Sequence, residues 1–507
     1  MEAIEQAEVI DFLSRPETFG GREPVETIET HASLVFLAGD RAYKLKKAVR
    51  YSYLDYSTPE RRHAACAAEY RINRAVSPAL YLGVEPIARR PDGTLALGGA
   101  GQPLDWVVVM RRFASEAQLD RVADRGALDV PLALALADRI VAFHEAAAIR
   151  CDRGGADGIR LALDLTAENL RLAADTVFDV PSIERWIERA AAAFVATRAL
   201  LDRRRHAGKV RACHGDLHLQ NICLVDDQPA LFDAIEFDEA ISCIDVLYDL
   251  AFLLMDLERR SLRRTGNLIF NRYLDRRPEA DGIGALPLFL ALRAAIRAQV
   301  RATAARQQAG DPDIVSEART YLDLAERLLD PVAPRLIAVG GPSGSGKSTV
   351  ARELAPPLGR APGARVIRSD MIRKRLAGVA PETPLPPAAY TEATHAETYA
   401  AVIEEALLCL RAGQSVVVDA VHGQAQERSR VATAASSVRV PFFGLWLDAP
   451  PSILRDRLAR RRNDASDATA EVLENQLRSI TPPSDWLRLD ADCNAAEIAR
   501  NALARLG

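Results

Sequence analysis

An acid and an amide lie five residues apart in one polar stretch of the chain. The stretch His214-Gly215-Asp216-Leu217-His218-Leu219-Gln220-Asn221 follows the pattern H-x-D-L-x-x-x-N. In loops of this pattern the aspartate accepts the proton of an attacking hydroxyl, and the asparagine reaches a Mg²⁺ ion. The strand-like segment 230–232 then leads to Asp233, a second candidate metal ligand. The spacing therefore predicts phosphoryl transfer with Asp216 as general base and with Asn221 and Asp233 at the metal.

Glycines and a lysine near residue 345 form a second candidate phosphate site. The stretch 341–348 has the pattern G-x-x-x-x-G-K-S and lies between the apolar strand candidate 336–339 and a helical segment from Thr349. Strand, loop and helix in this order let backbone N–H groups surround phosphate oxygens at the positive end of the helix. Lys347 would neutralise the β- and γ-phosphates, and Ser348 would ligate Mg²⁺. The residues expected to contact nucleotide are Gly341, Ser343, Gly344, Ser345, Gly346, Lys347, Ser348 and Thr349.

Polar side chains follow two further strand candidates of the same half. Asp370 and Arg373 come after 365–368, and a helix starting there would set both on one face. At the carboxyl end of a parallel strand that face looks into the ligand crevice, so Asp370 would take the acceptor's proton and Arg373 would orient substrate or phosphate. Asp419 ends the run 416–418 and would hold Mg²⁺ through water. The structural alternatives are an aspartate N-cap with a solvated arginine, and a strand-end cap for Asp419.

Arginines are concentrated just before the polar segment 463–467. They are Arg455, Arg457, Arg460, Arg461 and Arg462. Arginines in a mobile lid can stabilise charge on a transferring phosphoryl group, and we take Arg457 and Arg461 as candidate nucleotide contacts. The alternative is a solvated helix face. On the loop after 416–418, His422 is expected to be a histidine in solvent rather than a substrate contact.

Length and composition indicate a soluble chain with more than one domain. The 507 residues exceed one ordinary core, and 49% hydrophobic with 26% charged residues is typical of globular proteins. A net charge of −4 gives no electrostatic support for non-specific nucleic-acid binding. The seven scattered cysteines lack zinc spacing and fit reduced thiols in the cytoplasm. We recognise neither a signal peptide nor an apolar run of about 18 residues, so no membrane partner is expected.

The order of strand and helix patterns divides the chain at about residue 330. A strand-rich stretch with a hairpin pattern at 31–47 precedes a helical one, whose segments are 131–149, 182–205, 241–259 and 286–306. The prolines of 330–334 end that helical character. Strands and helices then alternate, which is typical of a doubly wound parallel sheet with helices on both faces. We expect an α+β domain at 1–330 and an α/β domain at 331–507.

The second half resembles the small P-loop kinases related to gluconate kinase, zeta toxin and the polynucleotide 5′-hydroxyl kinases. The resemblance covers about 335–507 and rests on the phosphate loop, the Ser-Asp-x-x-Arg at 369–373, the Val-Val-Asp-Ala at 417–420 and the arginine-rich segment. It implies a P-loop NTPase fold that uses ATP and Mg²⁺. It also implies that Asp370 contacts the acceptor hydroxyl, while the acceptor itself is left open.

The first half resembles the aminoglycoside phosphotransferase family, a bilobal protein-kinase-like fold acting on small molecules. The resemblance covers about 25–325, and its specific parts are the catalytic loop and the Tyr-Asp-Leu-Ala at 248–251, from a helix whose aspartate braces that loop. It implies that Met110 lies at the adenine-binding hinge and that Glu69 pairs the nucleotide-binding lysine. Lys44 and Lys46 lie on one face of a strand; the local pattern Tyr-Lys-Leu-Lys-Lys favours Lys46, with Lys44 as the alternative.

Three departures argue against a protein-substrate kinase. Asp233-Ala234-Ile235 replaces the DFG triplet, the 31–41 hairpin lacks a G-x-G-x-x-G, and no Ala-Pro-Glu follows within the first half of the chain. As a whole, the arrangement resembles a bacterial fusion class that joins an aminoglycoside phosphotransferase-like domain to a P-loop kinase.

Filled acid and metal positions in both halves predict a bifunctional ATP-dependent kinase. Each domain would transfer the γ-phosphoryl group to a hydroxyl of a small molecule such as a sugar, aminoglycoside or nucleoside. One alternative is a single working kinase with a regulatory nucleotide-binding domain. Another is an interaction or nucleic-acid-end module gated by nucleotide, which the net charge makes a weaker hypothesis. The sequence indicates no oligomeric state.

Overall fold

A computed structural model describes residues 2–51, 54–308, 310–460 and 466–506. The chain separates into two units, Met1–Gly158 with Arg205–Leu253, and Ile159–Arg204 with Leu254–Gly507. The second unit therefore combines helices from the middle of the chain with the whole C-terminal sheet. The expected domain boundary at 330/331 stays a prediction.

Helices predominate in the stretch before residue 330. The helices are α1 (Glu2–Leu13), α2 (Pro59–Val76), α3 (Leu119–Asp124), α4 (Val130–Ala146), α5 (Gly155–Leu172), α6 (Val180–His206), α7 (Glu239–Ser242), α8 (Val246–Arg259), α9 (Arg263–Arg276), α10 (Leu286–Gln307) and α11 (Pro312–Arg327). The strands are β1 (Glu26–Glu29), β2 (Ser33–Ala38), β3 (Arg41–Lys46), β4 (Arg50–Tyr51), β5 (Leu54–Asp55), β6 (Tyr81–Arg89), β7 (Leu95–Leu97), β8 (Gln102–Arg111), β9 (Val210–Ala212), β10 (Ile222–Val225), β11 (Gln228–Leu231) and β12 (Cys243–Asp245).

A six-stranded antiparallel sheet in the order β1-β2-β3-β8-β6-β7 forms the first lobe. The predicted hairpin is confirmed: β2 and β3 pair around a turn in which Gly39 has a φ of +57°, a conformation that favours glycine. Helix α2 begins at Pro59, and the Thr58 side chain caps it by accepting a hydrogen bond from the Arg61 N–H. Sheet and helix thus supply the two elements that carry the candidate lysines and Glu69.

The helix predicted over 241–259 is wrong at its start. Residues 243–245 form β12, which pairs antiparallel with β9, and the long helix α8 begins only at Val246. Pairing with a distant strand overrides the local helical pattern there, because a three-residue ladder satisfies backbone groups that a helix would otherwise pair. The β9–β12 ladder and the β10–β11 hairpin flank the predicted catalytic loop.

The stretch after residue 330 forms a five-stranded parallel sheet in the order β14-β15-β13-β16-β17. Its strands are β13 (Leu336–Gly340), β14 (Arg365–Arg368), β15 (Val416–Asp419), β16 (Phe442–Asp448) and β17 (Leu487–Asp490). Its helices are α12 (Lys347–Leu354), α13 (Ser369–Leu376), α14 (Glu392–Arg411), α15 (Ala425–Ser437), α16 (Pro451–Arg460), α17 (Ala470–Ser479) and α18 (Ala495–Leu506). Every residue of β13 and β15 is buried, as expected for central parallel strands covered on both faces. The predicted P-loop NTPase class is confirmed.

One stretch of the described residues, Ala280–Gln307, is long and apolar enough to cross a membrane by length and composition. Of its most apolar window, 67% is buried inside the protein. Such burial is usual for the core helix of a folded domain, so the stretch is weak support for a membrane span.

Candidate active sites

The catalytic-loop pattern forms a loop between β9 and β10, with the Asp216 carboxylate held on two sides. Asn221 Nδ2 donates to Asp216 Oδ2 at 2.8 Å and to the Asp216 carbonyl oxygen at 3.0 Å. His218 Nε2 lies 3.3 Å from the same Oδ2. The Asp216 side chain is 36% exposed, so an incoming hydroxyl can reach it while its orientation is fixed.

A fully buried aspartate holds this loop from behind. Asp249, in the first turn of α8, accepts hydrogen bonds from the backbone N–H groups of His214 at 3.1 Å and Gly215 at 2.9 Å. His144 Nε2 lies 3.0 Å from its Oδ2. The other side of the loop is tied by His214, whose Nε2 lies 2.9 Å from the Phe232 carbonyl oxygen. Burial lowers the pKa of His214, so this histidine is a neutral brace.

Both candidate lysines belong to one cluster of ion pairs. Lys44 Nζ lies 2.9 Å from Glu69 Oε1 and also pairs with Asp233. Lys46 Nζ lies 2.5 Å from Glu69 Oε2 and 2.5 Å from Glu236 Oε1. Glu69 therefore holds both lysines at once, and of the two it is Lys44 that pairs with the candidate metal ligand.

The surroundings of the two lysines differ. The Lys46 side chain is 3% exposed, and the Tyr56 hydroxyl donates to its partner Glu236 at 2.9 Å. Lys44 is 11% exposed and lies beside Asp233, whose side chain is 45% exposed. Burial alone would lower the pKa of Lys44, but the carboxylates of Asp233 and Glu69 outweigh it and hold the pKa above its usual value. A charged ammonium at the more open position favours Lys44 over Lys46 as the phosphate-binding candidate.

Asp233 adopts a backbone conformation that few residues other than glycine share. Its φ is +61°, in the left-handed region, and its N–H donates to the Tyr81 hydroxyl at 3.0 Å. The next N–H, of Ala234, donates to Asn73 Oδ1 at 2.9 Å. Strained backbone held this firmly is concentrated at functional sites, which agrees with a ligand role for Asp233.

The hinge candidate Met110 lies half-buried on β8, the strand between β3 and β6. Its register partners are Ala42 on β3 and Tyr81 on β6. Met110 thus shares the sheet with Lys44, which pairs with Val108 two residues earlier on the same strand. Its contact with adenine stays a prediction.

In the second half, β13 runs directly into the glycine-rich loop, and α12 begins at Lys347 within it, two residues before the expected start at Thr349. A Cβ at Gly341 would lie 2.6 Å from the Leu447 carbonyl oxygen, and one at Gly344 would lie 2.6 Å from that of Leu454. Gly346 has a φ of +85°, and a Cβ there would meet no atom within 4 Å. Glycine is therefore required for close backbone approach at the first two positions, while the third faces the open space where a phosphate would sit.

The loop opens into a cavity of about 900 Å³, a size in the range of nucleotide and cofactor sites. The predicted residues that line it are Ser343, Gly344, Gly346, Lys347, Ser348, Thr349, Asp370, Arg373, Asp419 and Arg457. Gly341 and Ser345, which belong to the same loop, are buried and do not line the cavity. The structure therefore brings the predicted nucleotide, acceptor and metal positions of this half into one space.

Asp370 lies in the first turn of α13, half-buried and facing the cavity. The N-cap of that helix is Arg368, so the alternative of Asp370 as an N-cap is wrong. Burial raises the pKa of Asp370, and the neighbouring Arg368 opposes the shift only in part. Arg373, one turn later, is half-buried with its guanidinium 4.8 Å from the centre of the Tyr390 ring, so it is not simply solvated.

Asp419 ends β15 and is 4% exposed, yet it still lines the cavity. Its Oδ2 lies 3.3 Å from Arg368 Nε. The hydroxyl-bearing Ser348 lines the same cavity. The two candidate metal ligands of this half thus face a common space.

The arginine-rich segment only partly faces the cavity. Arg457 lines it and donates through Nη1 to the Ala491 carbonyl oxygen at 2.7 Å, and Arg460 also lines it. Arg455 pairs with Glu474 at 2.6 Å on the surface. Arg461, the other candidate nucleotide contact, and its neighbour Arg462 lie outside the described residues.

His422 corrects one expectation from the sequence. It is completely buried, with a φ of +51°, rather than a loop histidine in solvent. Its ring centre lies 5.3 Å from that of Trp486 and 6.1 Å from that of Tyr399. Burial lowers the pKa of His422 to about 4, so the imidazole is neutral. The loop after β15 turns inward because these two aromatic rings cover it.

Sequence reasoning missed a polar wall of the same cavity. The Tyr390 hydroxyl donates to Asp467 Oδ2 at 2.6 Å, and His395 Nε2 lies 2.6 Å from Glu427 Oε1. Tyr399, one turn after His395 on α14, lines the cavity beside them. In the sequence, only the i,i+4 spacing of His395 and Tyr399 indicates that these two side chains share a helix face, and no known motif contains them.

Comparison with known families finds the same two halves. Residues 35–283 match a family described as the Phosphotransferase enzyme family, and residues 336–483 match one described as an AAA domain. The first match contains the catalytic loop, and the second contains the phosphate loop.

Relatives and solved structures cover the chain differently. Uncharacterized proteins of Mycobacterium tuberculosis and Mycobacterium bovis are 33% identical over 461 residues, which is 88% of this chain and 88% of theirs. A choline/ethanolamine kinase family protein from Mesorhizobium loti covers 64% of this chain and 95% of its own, at 14% identity and a TM-score of 0.43. A gluconokinase from Sinorhizobium meliloti covers 34% and 93%, at 28% identity and a TM-score of 0.26.

An APS kinase from Mycobacterium tuberculosis covers 35% of this chain and 99% of its own, at 23% identity and a TM-score of 0.27. The family matches account for the two halves separately, whereas the mycobacterial relatives span both. The chain therefore belongs to the family of these mycobacterial proteins, and in this chain an aminoglycoside phosphotransferase-like domain is fused to a P-loop kinase domain.

Proposed function

We propose that the chain is a bifunctional phosphotransferase, each domain of which moves the γ-phosphoryl group of ATP to a hydroxyl of a small molecule. The observation that supports this most directly is that each half holds an aspartate where it could act as a general base. Asp216 is oriented by Asn221 at 2.8 Å, and Asp370 shares a cavity with Lys347. A domain that only bound nucleotide would need neither acid.

In the first domain Asp216 would accept the proton of the acceptor hydroxyl. The acceptor oxygen forms a bond to the γ-phosphorus, the bond to the β,γ-bridging oxygen breaks, and ADP leaves with that electron pair. Asn221 and His218 keep the carboxylate in place, so most of the contribution is positioning. Lys44, held by Glu69 and Asp233, would neutralise nucleotide phosphate charge.

In the second domain Asp370 would be the base and Lys347 the phosphate contact. Arg373, at i+3 on the same helix, would orient the acceptor or the transferring group, supported by its position over the Tyr390 ring. Arg457 would stabilise charge from the lid side of the cavity. The bond changes are those of the first domain.

Oxygen-rich side chains in both domains fit Mg²⁺, which prefers oxygen ligands and keeps several waters. Asn221 and Asp233 would hold it in the first domain, and Ser348 and Asp419 in the second. The fit is supported by the strained backbone of Asp233 and by the buried carboxylate of Asp419 that still reaches the cavity. When bound, the ion would neutralise phosphate charge.

A screen of sugars, aminoglycosides, nucleosides and oligonucleotide 5′-ends for ATP-dependent phosphorylation tests the proposal. We expect Asp216→Asn to lower the rate of phosphoryl transfer by the first domain by about 10²–10⁴-fold, because it removes a general base. Asp370→Asn should lower the rate of transfer by the second domain to the same extent, whether that domain acts on a different acceptor or on the product of the first. Asp226→Asn is the matched control, since Asp226 is exposed and its positive φ suits asparagine. Full turnover in either base variant would contradict the proposal for that domain.

A further inference from the structure

One helix from the middle of the chain closes the open edge of the C-terminal sheet. β14 is the edge strand, and beyond it lies α9, within the same unit. Asn271 Oδ1 accepts a hydrogen bond from the Val366 N–H at 2.7 Å, and Asn267 Nδ2 donates to the Ala364 carbonyl oxygen at 3.0 Å. Two amide side chains thus replace the neighbouring strand that an edge otherwise lacks.

A buried charge makes the contact between α9 and the sheet specific. Arg365 on β14 is fully buried, and its Nη1 lies 2.7 Å from Asp275 Oδ1 of α9. Its Nη2 lies 2.8 Å from Glu405 Oε1 of α14. Glu405 is also 2.7 Å from Arg375, so it cannot compensate Arg365 alone. A buried guanidinium needs both carboxylates, and one of them comes from α9.

The segment before β14 is shaped to receive the helix. Gly363 has a φ of +106°, and a Cβ there would lie 2.8 Å from Asn267 Nδ2 and 2.7 Å from the Ala355 carbonyl oxygen. Arg263, at the start of α9, donates to the Gly359 carbonyl oxygen at 2.7 Å. The close fit therefore extends along the whole helix.

The strand that α9 contacts, β14, leads directly to the candidate base Asp370. β14 ends at Arg368 and α13 follows at once with Asp370 in its first turn, whereas the phosphate loop follows β13, separated from β14 by β15. We infer that α9 is a positioning element of the second active site. Through Asn267, Asn271 and Asp275 it fixes β14, and thereby Asp370, without acting on the nucleotide loop. The link to catalysis rests on the proposed role of Asp370.

Hydrogen exchange of the full-length protein tests whether α9 holds β14 in place. In Asn271→Ala we expect peptides covering 365–376 to exchange at least about tenfold faster while those covering 336–350 are unchanged, because protection reports local opening. Asn271→Asp keeps the acceptor for Val366 and Arg365 but turns a buried carboxylate oxygen toward the carbonyl oxygens of Asn267 and Ala364, so it should not restore protection. Arg264→Ala, on the same helix, removes an ion pair with Glu353 of α12 rather than a contact with β14, and it should leave exchange at 365–376 unchanged. Unchanged exchange at 365–376, or a uniform loss across the sheet, would overturn the inference.

The rate of ADP release tests the link between α9 and catalysis. It is measured in an Asp216→Asn background, so that turnover comes from the second site. We expect Asn271→Ala to lower second-site kcat roughly tenfold, with the nucleotide Kd within about twofold of the unchanged chain, since a small displacement of a catalytic group costs rate rather than nucleotide affinity. Equal kcat, or a matching loss of nucleotide affinity, would contradict positioning. If Asp370→Asn leaves kcat unchanged, the proposed function fails instead, and the exchange result still decides the role of α9.

Discussion

The two candidate bases are prepared in different ways for the same task. Asp216 is partly exposed and is held by hydrogen bonds from a neighbouring amide. Asp370 lies in a cavity where burial raises its pKa. A base whose pKa is nearer the working pH transfers protons more effectively, so the environment of Asp370 suits general-base catalysis.

The raised pKa gives a pH prediction for the second site. Asp370 acts as a base only when ionised, so turnover is lost as pH falls through its folded-state pKa. Because that pKa lies above the pKa of a free aspartate, the acid limb of kcat/KM should lie above the pKa of a free aspartate in an Asp216→Asn background. An acid limb at or below the pKa of a free aspartate would contradict the assignment of Asp370 as the base.

The lysine pair gives a prediction that separates nucleotide binding from stability. Lys44→Met should weaken nucleotide binding at the first site by at least about tenfold, because an ammonium facing phosphate is lost. Lys46→Met should instead lower the free energy of unfolding by about 3–5 kcal/mol, since it removes the cation that pairs with the buried Glu236 and one of the two lysines that pair with the buried Glu69. Calorimetry and denaturant unfolding measure the two effects. The reverse pattern would support Lys46, as the local sequence indicates.

At the scale of elements, the first turn of α8 supports the catalytic loop. Asp249→Ala removes the acceptor for the N–H groups of His214 and Gly215, and each buried unsatisfied donor costs about 1–3 kcal/mol. We expect the free energy of unfolding to fall by about 3 kcal/mol and first-site turnover to fall with it. Asp164→Ala, which removes an exposed i,i+4 pair, is the control. A loss below about 1 kcal/mol in Asp249→Ala would show that the loop is held elsewhere.

Elements whose pattern is local were predictable, and those that depend on distant partners were not. The hairpin at 31–47 and the five parallel strands follow from periodicity and turn residues, and the phosphate loop follows from its flanking strand and helix. The strand at 243–245 exists only because β9 lies beside it, and His422 is buried only because Trp486 and Tyr399 cover its loop. The role of the polar side chains of α9 likewise could not be predicted from the sequence, because their partners lie on the edge strand β14.

For the whole molecule, the central question is whether both domains handle nucleotide. The relatives match over 88% of their length and of this chain, so the two halves occur together in this family. Both halves also keep an acid and a lysine in organised surroundings. These features favour two working sites over one kinase with a regulatory partner domain.

Calorimetric titration of the full-length chain with a non-hydrolysable ATP analogue and Mg²⁺ tests this account most directly. The account predicts two binding sites in the unchanged protein. It predicts one site in Lys347→Ala and one in Lys44→Met, and the remaining site in each variant should keep its original affinity. A single site in the unchanged protein, or the loss of both sites in either variant, would contradict the account.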